Sequence, residues 1–78
     1  MNSETEHKFW RIFCQVMRVE AGPGNVSRES LEEWDSLRHV ELVFELEENF
    51  DVSVSPDEIV SLYSDSDTII EYLNASAR

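Results

Sequence analysis

From Trp34 the chain reads Trp34-Asp35-Ser36-Leu37-Arg38-His39-Val40-Glu41-Leu42-Val43-Phe44-Glu45-Leu46-Glu47-Glu48-Asn49-Phe50, and its periodicity is that of a helix. Projected at about 100° per residue, Leu37, Val40, Leu42, Val43, Phe44, Leu46 and Phe50 gather into an arc of roughly 220°. Arg38, Glu41, Glu45, Glu48 and Asn49 share the narrow wet face that remains. An arc wider than one packing stripe predicts a helix, from about Ser36 to Phe50, that touches several neighbours.

Outward from this segment the punctuation is clear. Asp51-Val52-Ser53-Val54 alternates like a strand, but no second strand is there to pair with it, so an extended link with two buried valines is expected. Ser55-Pro56-Asp57-Glu58 has a serine cap, a proline in the first turn and a glutamate at the capping-box position. It opens a short third helix reaching about Tyr63. Ser64-Asp65-Ser66-Asp67 caps a last helix carrying Ile69, Ile70, Tyr72 and Leu73. In the other direction, residues 25–35 form a long connection with Val26 and Leu31 as anchors, and Ser30-Leu31-Glu32-Glu33 suggests a single capped turn. Ala21-Gly22-Pro23-Gly24-Asn25 is dense turn sequence, which ends the first helix near Glu20. That helix opens on a capping box, Ser3-Glu4-Thr5-Glu6. Phe9, Trp10, Ile12, Phe13, Cys14, Val16, Met17 and Val19 lie on its apolar side, His7, Lys8, Arg11, Gln15 and Arg18 on the other. The expectation is an all-α fold of four helices, the third stubby, in one domain spanning residues 1–78.

Composition narrows the function. Seventy-eight residues, 41% of them hydrophobic, suffice for one small core, and a chain of this size buries only about 60% of its unfolded surface. A large enclosed catalytic cavity does not fit. Seventeen acids against six bases give a formal charge of −11, a field that repels phosphate backbones and anionic lipid and favours partners with positive patches. The acidity belongs to the second half: from residue 29 onward there are fourteen acids, with Arg38 and Arg78 the only bases. A single cysteine, Cys14, makes no internal disulfide. No apolar run approaches the roughly 18 residues of a membrane span. Met1-Asn2-Ser3-Glu4 lacks the basic and apolar regions of a signal peptide, so a freestanding cytoplasmic protein is expected.

The run Trp34-Asp35-Ser36-Leu37, continuing Val40-Glu41-Leu42-Val43 and Leu46-Glu47-Glu48-Asn49-Phe50, resembles the acyl carrier proteins, in their freestanding (type II) form. The family's core is an Asp-Ser-Leu triplet that opens a helix, continues Val-Glu-Leu and ends Leu-Glu-Glu-x-Phe. Residues 35–50 match it nearly position for position. The amphipathic first helix, the long loop, the Pro-Asp-Glu start and the closing Ile70-Glu71-Tyr72-Leu73 agree as well. The resemblance implies a four-helix carrier bundle without catalytic activity. Ser36 would bear 4′-phosphopantetheine, transferred from coenzyme A by a magnesium-dependent phosphopantetheinyl transferase. Acyl intermediates of fatty-acid, polyketide or specialised biosynthesis would then ride on the arm as thioesters. Partners would be acyl-loading or adenylating enzymes and acyltransferase- or ketosynthase-type enzymes with basic patches, and the carrier a monomer. Docking would fall to Asp35, Leu37, Arg38, Glu41, Glu47 and Glu48. A serine at a helix N-terminus, beside unpaired N–H groups and the positive end of the dipole, suits a phosphodiester.

Plainer readings stand beside these. Ser36 is an N-cap whether or not it is modified. Asp35, Ser36 and His39 resemble a nucleophilic triad only superficially, since an exposed helix end has no oxyanion hole and cannot exclude water. His39 reads as a partly buried helix residue near the loop. Asp65 and Asp67 lack the glycine and the glutamate of a calcium loop. The stripe Glu41, Glu45, Glu48 serves solubility or docking, and Glu47, inside the apolar arc, belongs at an edge beside another helix. Arg38, where the family has an acidic or small residue, either pairs with Glu41 or Glu45, or contacts the phosphate of the arm or rejects partners evolved for an acid there. Trp34, which some specialised freestanding carriers share, is a lid buried against Leu37 or the first helix. Ser66 replaces an aliphatic residue of the last helix. Cys14 is a buried core thiol, and Phe44 with Leu46 leaves room for a cleft over an aliphatic cargo. An aminoacyl or peptidyl carrier, or an unmodified acidic helical adaptor, fits the same composition.

Overall fold

A computed structural model describes residues 3–22 and 24–76, with the side chain of Ser3 excepted. Four helices follow in order: α1 (Ser3–Met17), α2 (Ser36–Phe50), α3 (Pro56–Leu62) and α4 (Ser66–Ser76). The fold is all-α, and no strand occurs among the described residues. The expected Ser3 cap and Pro23 lie outside them.

The local signals that open the helices act as the sequence implies. Ser55 accepts the Glu58 N–H while the Glu58 carboxylate accepts the Ser55 N–H, a complete capping box with Pro56 at the first position. The Ser55 N–H, with lesser help from the Ser55 and Tyr72 hydroxyls, holds the Glu58 carboxyl below its ordinary value. Asp65 begins α4 by accepting both the N–H and the hydroxyl of Thr68, which likewise lowers its pKa.

Helix α1 stops at Met17, three residues before the expected end at Glu20. Arg18 turns left-handed, with φ 60°, and its N–H and that of Val19 both return to the Cys14 carbonyl. Asp51 ends α2 in the same way, at φ 55°. Residues 30–33 form no capped turn of helix. Instead two successive turns close Ser27 to Ser30 and Leu31 to Trp34, and the Ser30 hydroxyl bonds back to the Ser27 carbonyl.

The core is drawn from every element. Phe9, Ile12, Phe13 and Met17 come from α1, Leu42 and Leu46 from α2, Leu62 from α3, and Ile69, Ile70 and Leu73 from α4, with Trp34 added from the connection. Val26, Leu31, Val52 and Val54 are half-buried against this cluster, as anchors should be. Cys14 is only half-buried, its thiol 3.5 Å from the Ala21 carbonyl, because α1 ends before the chain can cover it. Ser66 is fully buried for a definite reason. Its hydroxyl accepts the Val26 N–H at 2.8 Å, and its own N–H donates to the Val26 carbonyl at 2.8 Å. An aliphatic residue there would strand the Val26 N–H.

Gly22 occupies φ +74°, and a Cβ there would lie 2.4 Å from the Trp10 ring. Gly22→Ala is therefore expected to cost about 2–4 kcal/mol, combining left-handed strain with overpacking. In a Trp10→Ala background the same change should cost only about 1–2 kcal/mol, the strain alone. Equal costs in the two backgrounds, measured by urea unfolding, would show that the ring is not the obstacle.

Candidate functional site

The head of α2 is built by Asp35. With extended backbone (φ −99°, ψ −179°), its carboxylate accepts the Arg38 N–H at 2.9 Å and its carbonyl accepts the His39 N–H at 2.9 Å. Asp35 is thus the N-cap, and the cap expected of Ser36 is corrected. Ser36 becomes the first helical residue, and its side chain is free of capping duty. It is exposed, and its hydroxyl has no hydrogen-bond partner among the described residues. The Ser36 and Leu37 amides belong to the first turn, where N–H groups have no acceptor within the helix.

Arg38 turns toward the end of α1. Its guanidinium Nη1 donates to the Met17 carbonyl at 2.9 Å and the Val16 carbonyl at 3.3 Å. It therefore caps the end of α1, placing positive charge at the negative pole of that helix. It pairs with neither Glu41 nor Glu45. The consequence is mechanical: the turn bearing Ser36 is tied to α1 across twenty residues of chain.

The wide apolar arc of α2 is only partly covered. Leu42, Val43 and Leu46 are buried, whereas Leu37 is 71%, Phe44 58% and Val40 37% exposed. The arc is wide because it holds two faces, one packed in the core through Leu42 and Leu46 and the other open to solvent. Leu37, Val40 and Phe44 form a stripe that starts beside Ser36 and is flanked by exposed Glu41 and Glu48. The arc's excess width was the only signal in the sequence that some of these residues would stay uncovered. Glu47 is half-buried, and its carboxylate accepts the Val54 N–H at 2.8 Å, so it holds the link after α2, near enough to α4 for Tyr72 to feel its charge. Leu46 belongs to the core and cannot help form the expected cleft. An open groove of about 510 Å³ lies instead between the end of α1 and α2, with Val16, Leu37, Glu41 and Phe44 on its walls.

Trp34 is 2% exposed. It packs edge-on against Phe13 of α1 with ring centroids 5.2 Å apart, and not against Leu37. His39, also buried, accepts the Trp34 indole N–H on Nδ1 at 3.1 Å and bonds the Ile59 carbonyl through Nε2 at 2.7 Å. With both nitrogens committed, the imidazole does not serve Ser36, and the triad geometry is absent. Among the described residues no cluster of three His, Cys, Asp or Glu side chains is placed to hold a metal ion, and no helix is long and apolar enough to cross a membrane.

Of the six residues expected to dock partners, the fold displays Asp35, Leu37, Glu41 and Glu48 on the α2 surface and draws Arg38 and Glu47 into structural bonds. No protein-family model matches the chain, and neither does any curated protein or solved structure.

Proposed function

We propose that the chain is a cytoplasmic carrier protein, modified on Ser36 by 4′-phosphopantetheine and passing acyl intermediates between separate enzymes. The observation that carries this reading is the division of labour at the head of α2. Asp35 takes the cap, so the Ser36 hydroxyl stands exposed and unbonded within the Asp-Ser-Leu context. The surroundings fit the group: first-turn N–H groups favour a phosphodiester, and the apolar stripe of Leu37, Val40 and Phe44 begins next to it. When attached, the arm supplies a thiol that holds acyl groups as thioesters. The chain's own part is to present the attachment oxygen on a rigid helix end and to display Glu41 and Glu48 for docking on basic patches.

Incubation with coenzyme A, magnesium and a broad-specificity phosphopantetheinyl transferase is expected to add one phosphopantetheinyl group, read by intact mass. No gain under conditions that load a known carrier would defeat the proposal. Docking contacts of this kind are weak and salt-sensitive. Reversing the charges of Glu41 and Glu48 together is expected to lower turnover with a loading enzyme by about tenfold at low salt while leaving the unfolding midpoint in place. Unchanged kinetics at low salt would remove these two carboxylates from the docking surface.

A further inference from the structure

Three segments meet at one buried imidazole. His39 lies on α2, Trp34 on the connection before it, and Ile59 on α3. The Ile59 carbonyl can only accept, so the imidazole proton resides on Nε2, and the Nδ1 lone pair is what receives the Trp34 indole N–H. Tyr63 strengthens the junction from the end of α3. Its ring centroid lies 4.8 Å from the imidazole, and its hydroxyl donates to the Trp34 carbonyl at 3.2 Å. Leu62 is the one buried side chain of helix α3.

We propose that the Trp34–His39–Ile59 relay is a proton-operated latch. With the ring neutral it fastens the Trp34 segment to α2, and protonation of Nδ1 releases that segment while Nε2–H keeps its bond to the Ile59 carbonyl. An imidazolium has two donors and no acceptor, so Nδ1–H and the indole N–H would face each other and the shared hydrogen bond is lost.

Beyond the Ile59 carbonyl, the surroundings offer the cation no compensation. Asp35, one turn earlier, spends its carboxylate on the Arg38 N–H. Glu58, beside Ile59 on α3, is turned toward the Ser55 N–H and the Tyr72 hydroxyl. The Arg28 guanidinium lies over the Tyr63 ring at 4.7 Å and brings positive charge to that side. From α1 the contact is Phe13, which packs on Trp34. Burial accordingly holds His39 below the ordinary histidine pKa, with the Ile59 hydrogen bond opposing. The released state binds the proton more readily than the latched one. The latch is therefore at full strength above the ordinary value of about 6.5 and weakens as pH falls from there toward the lowered one.

The test follows the imidazole nitrogens of His39, the Trp34 indole N–H and the backbone amides by NMR from about pH 7.5 to about pH 4.5. His7, exposed on α1, and Trp10 provide internal comparison within the same chain. As the His39 ring takes up its proton, the protection factor of the Trp34 indole N–H is expected to drop about tenfold or more with the same midpoint, while the amides of α1, α3 and α4 keep theirs. His39→Gln cannot titrate, so its indole protection should not follow that midpoint. The proposal is overturned if the ring titrates with indole protection intact, if all helices lose protection together, or if the ring stays neutral throughout. It is equally overturned if the Gln variant loses indole protection at the wild-type midpoint. Should that variant fail to fold, the wild-type titration decides alone. None of these readouts involves Ser36, so their failure and that of the carrier reading are distinguishable.

Discussion

Ser36→Ala is expected to abolish loading outright, with no mass gain after exhaustive treatment with coenzyme A and transferase, while the fold is retained. Both halves follow from the head of α2. The hydroxyl is the only nucleophilic oxygen of the Asp-Ser-Leu turn, and it makes no hydrogen bond among the described residues that its removal would break. Alanine is also the best helix former at an exposed helical position. Stability should stay within about 0.5 kcal/mol of the parent, the ordinary range for a surface change. The two measurements belong together, because lost loading in an unfolded variant would be uninformative. A variant that still gains mass would move the attachment to another residue and take the carrier proposal at Ser36 with it.

Trp34→Ala is expected to be the most damaging single change to stability, at about 3–5 kcal/mol. The indole is buried against Phe13, and its N–H is the donor that satisfies His39 Nδ1. Removing it leaves a cavity and a buried acceptor without a partner, the latter alone costing about 1–3 kcal/mol. A chain of this length has roughly 4–12 kcal/mol in total, so the variant should be largely unfolded at modest urea concentrations. Trp34→Phe separates the two losses. It keeps an aromatic edge for Phe13 and forfeits only the bond to His39, so its cost should fall near about 1–3 kcal/mol. A urea midpoint for Trp34→Ala within about 1 kcal/mol of the parent would mean that Trp34 is not the keystone its burial implies.

Reading the residues in order locates most of the helices. The limits of α2, Ser36 and Phe50, coincide with the expected ones because its periodicity and the turn after it act within a few residues. The box at Ser55 and Glu58 is equally local. The end of α1 was not legible. The left-handed turn at Arg18 carries no glycine to announce it, and the cation that caps the final carbonyls is Arg38, distant in sequence. The role of Ser66 was not legible for the same reason, since its hydroxyl answers an N–H forty residues away.

At the candidate site the sequence singles out Ser36 as the residue of interest and α2 as the helix that bears it. Which residue caps that helix, and that Leu37, Val40 and Phe44 stay in the open while His39 goes into the core, depend on what packs against each face. A helical wheel assigns every side chain an angle, and capping chemistry assigns every helix a start, because both are governed by bonds between near neighbours. Burial is governed by the segments that come to lie opposite. Here the packing of α1, Trp34 and α3 onto one side of α2 turned an apolar arc of uniform appearance into a covered half and a displayed half.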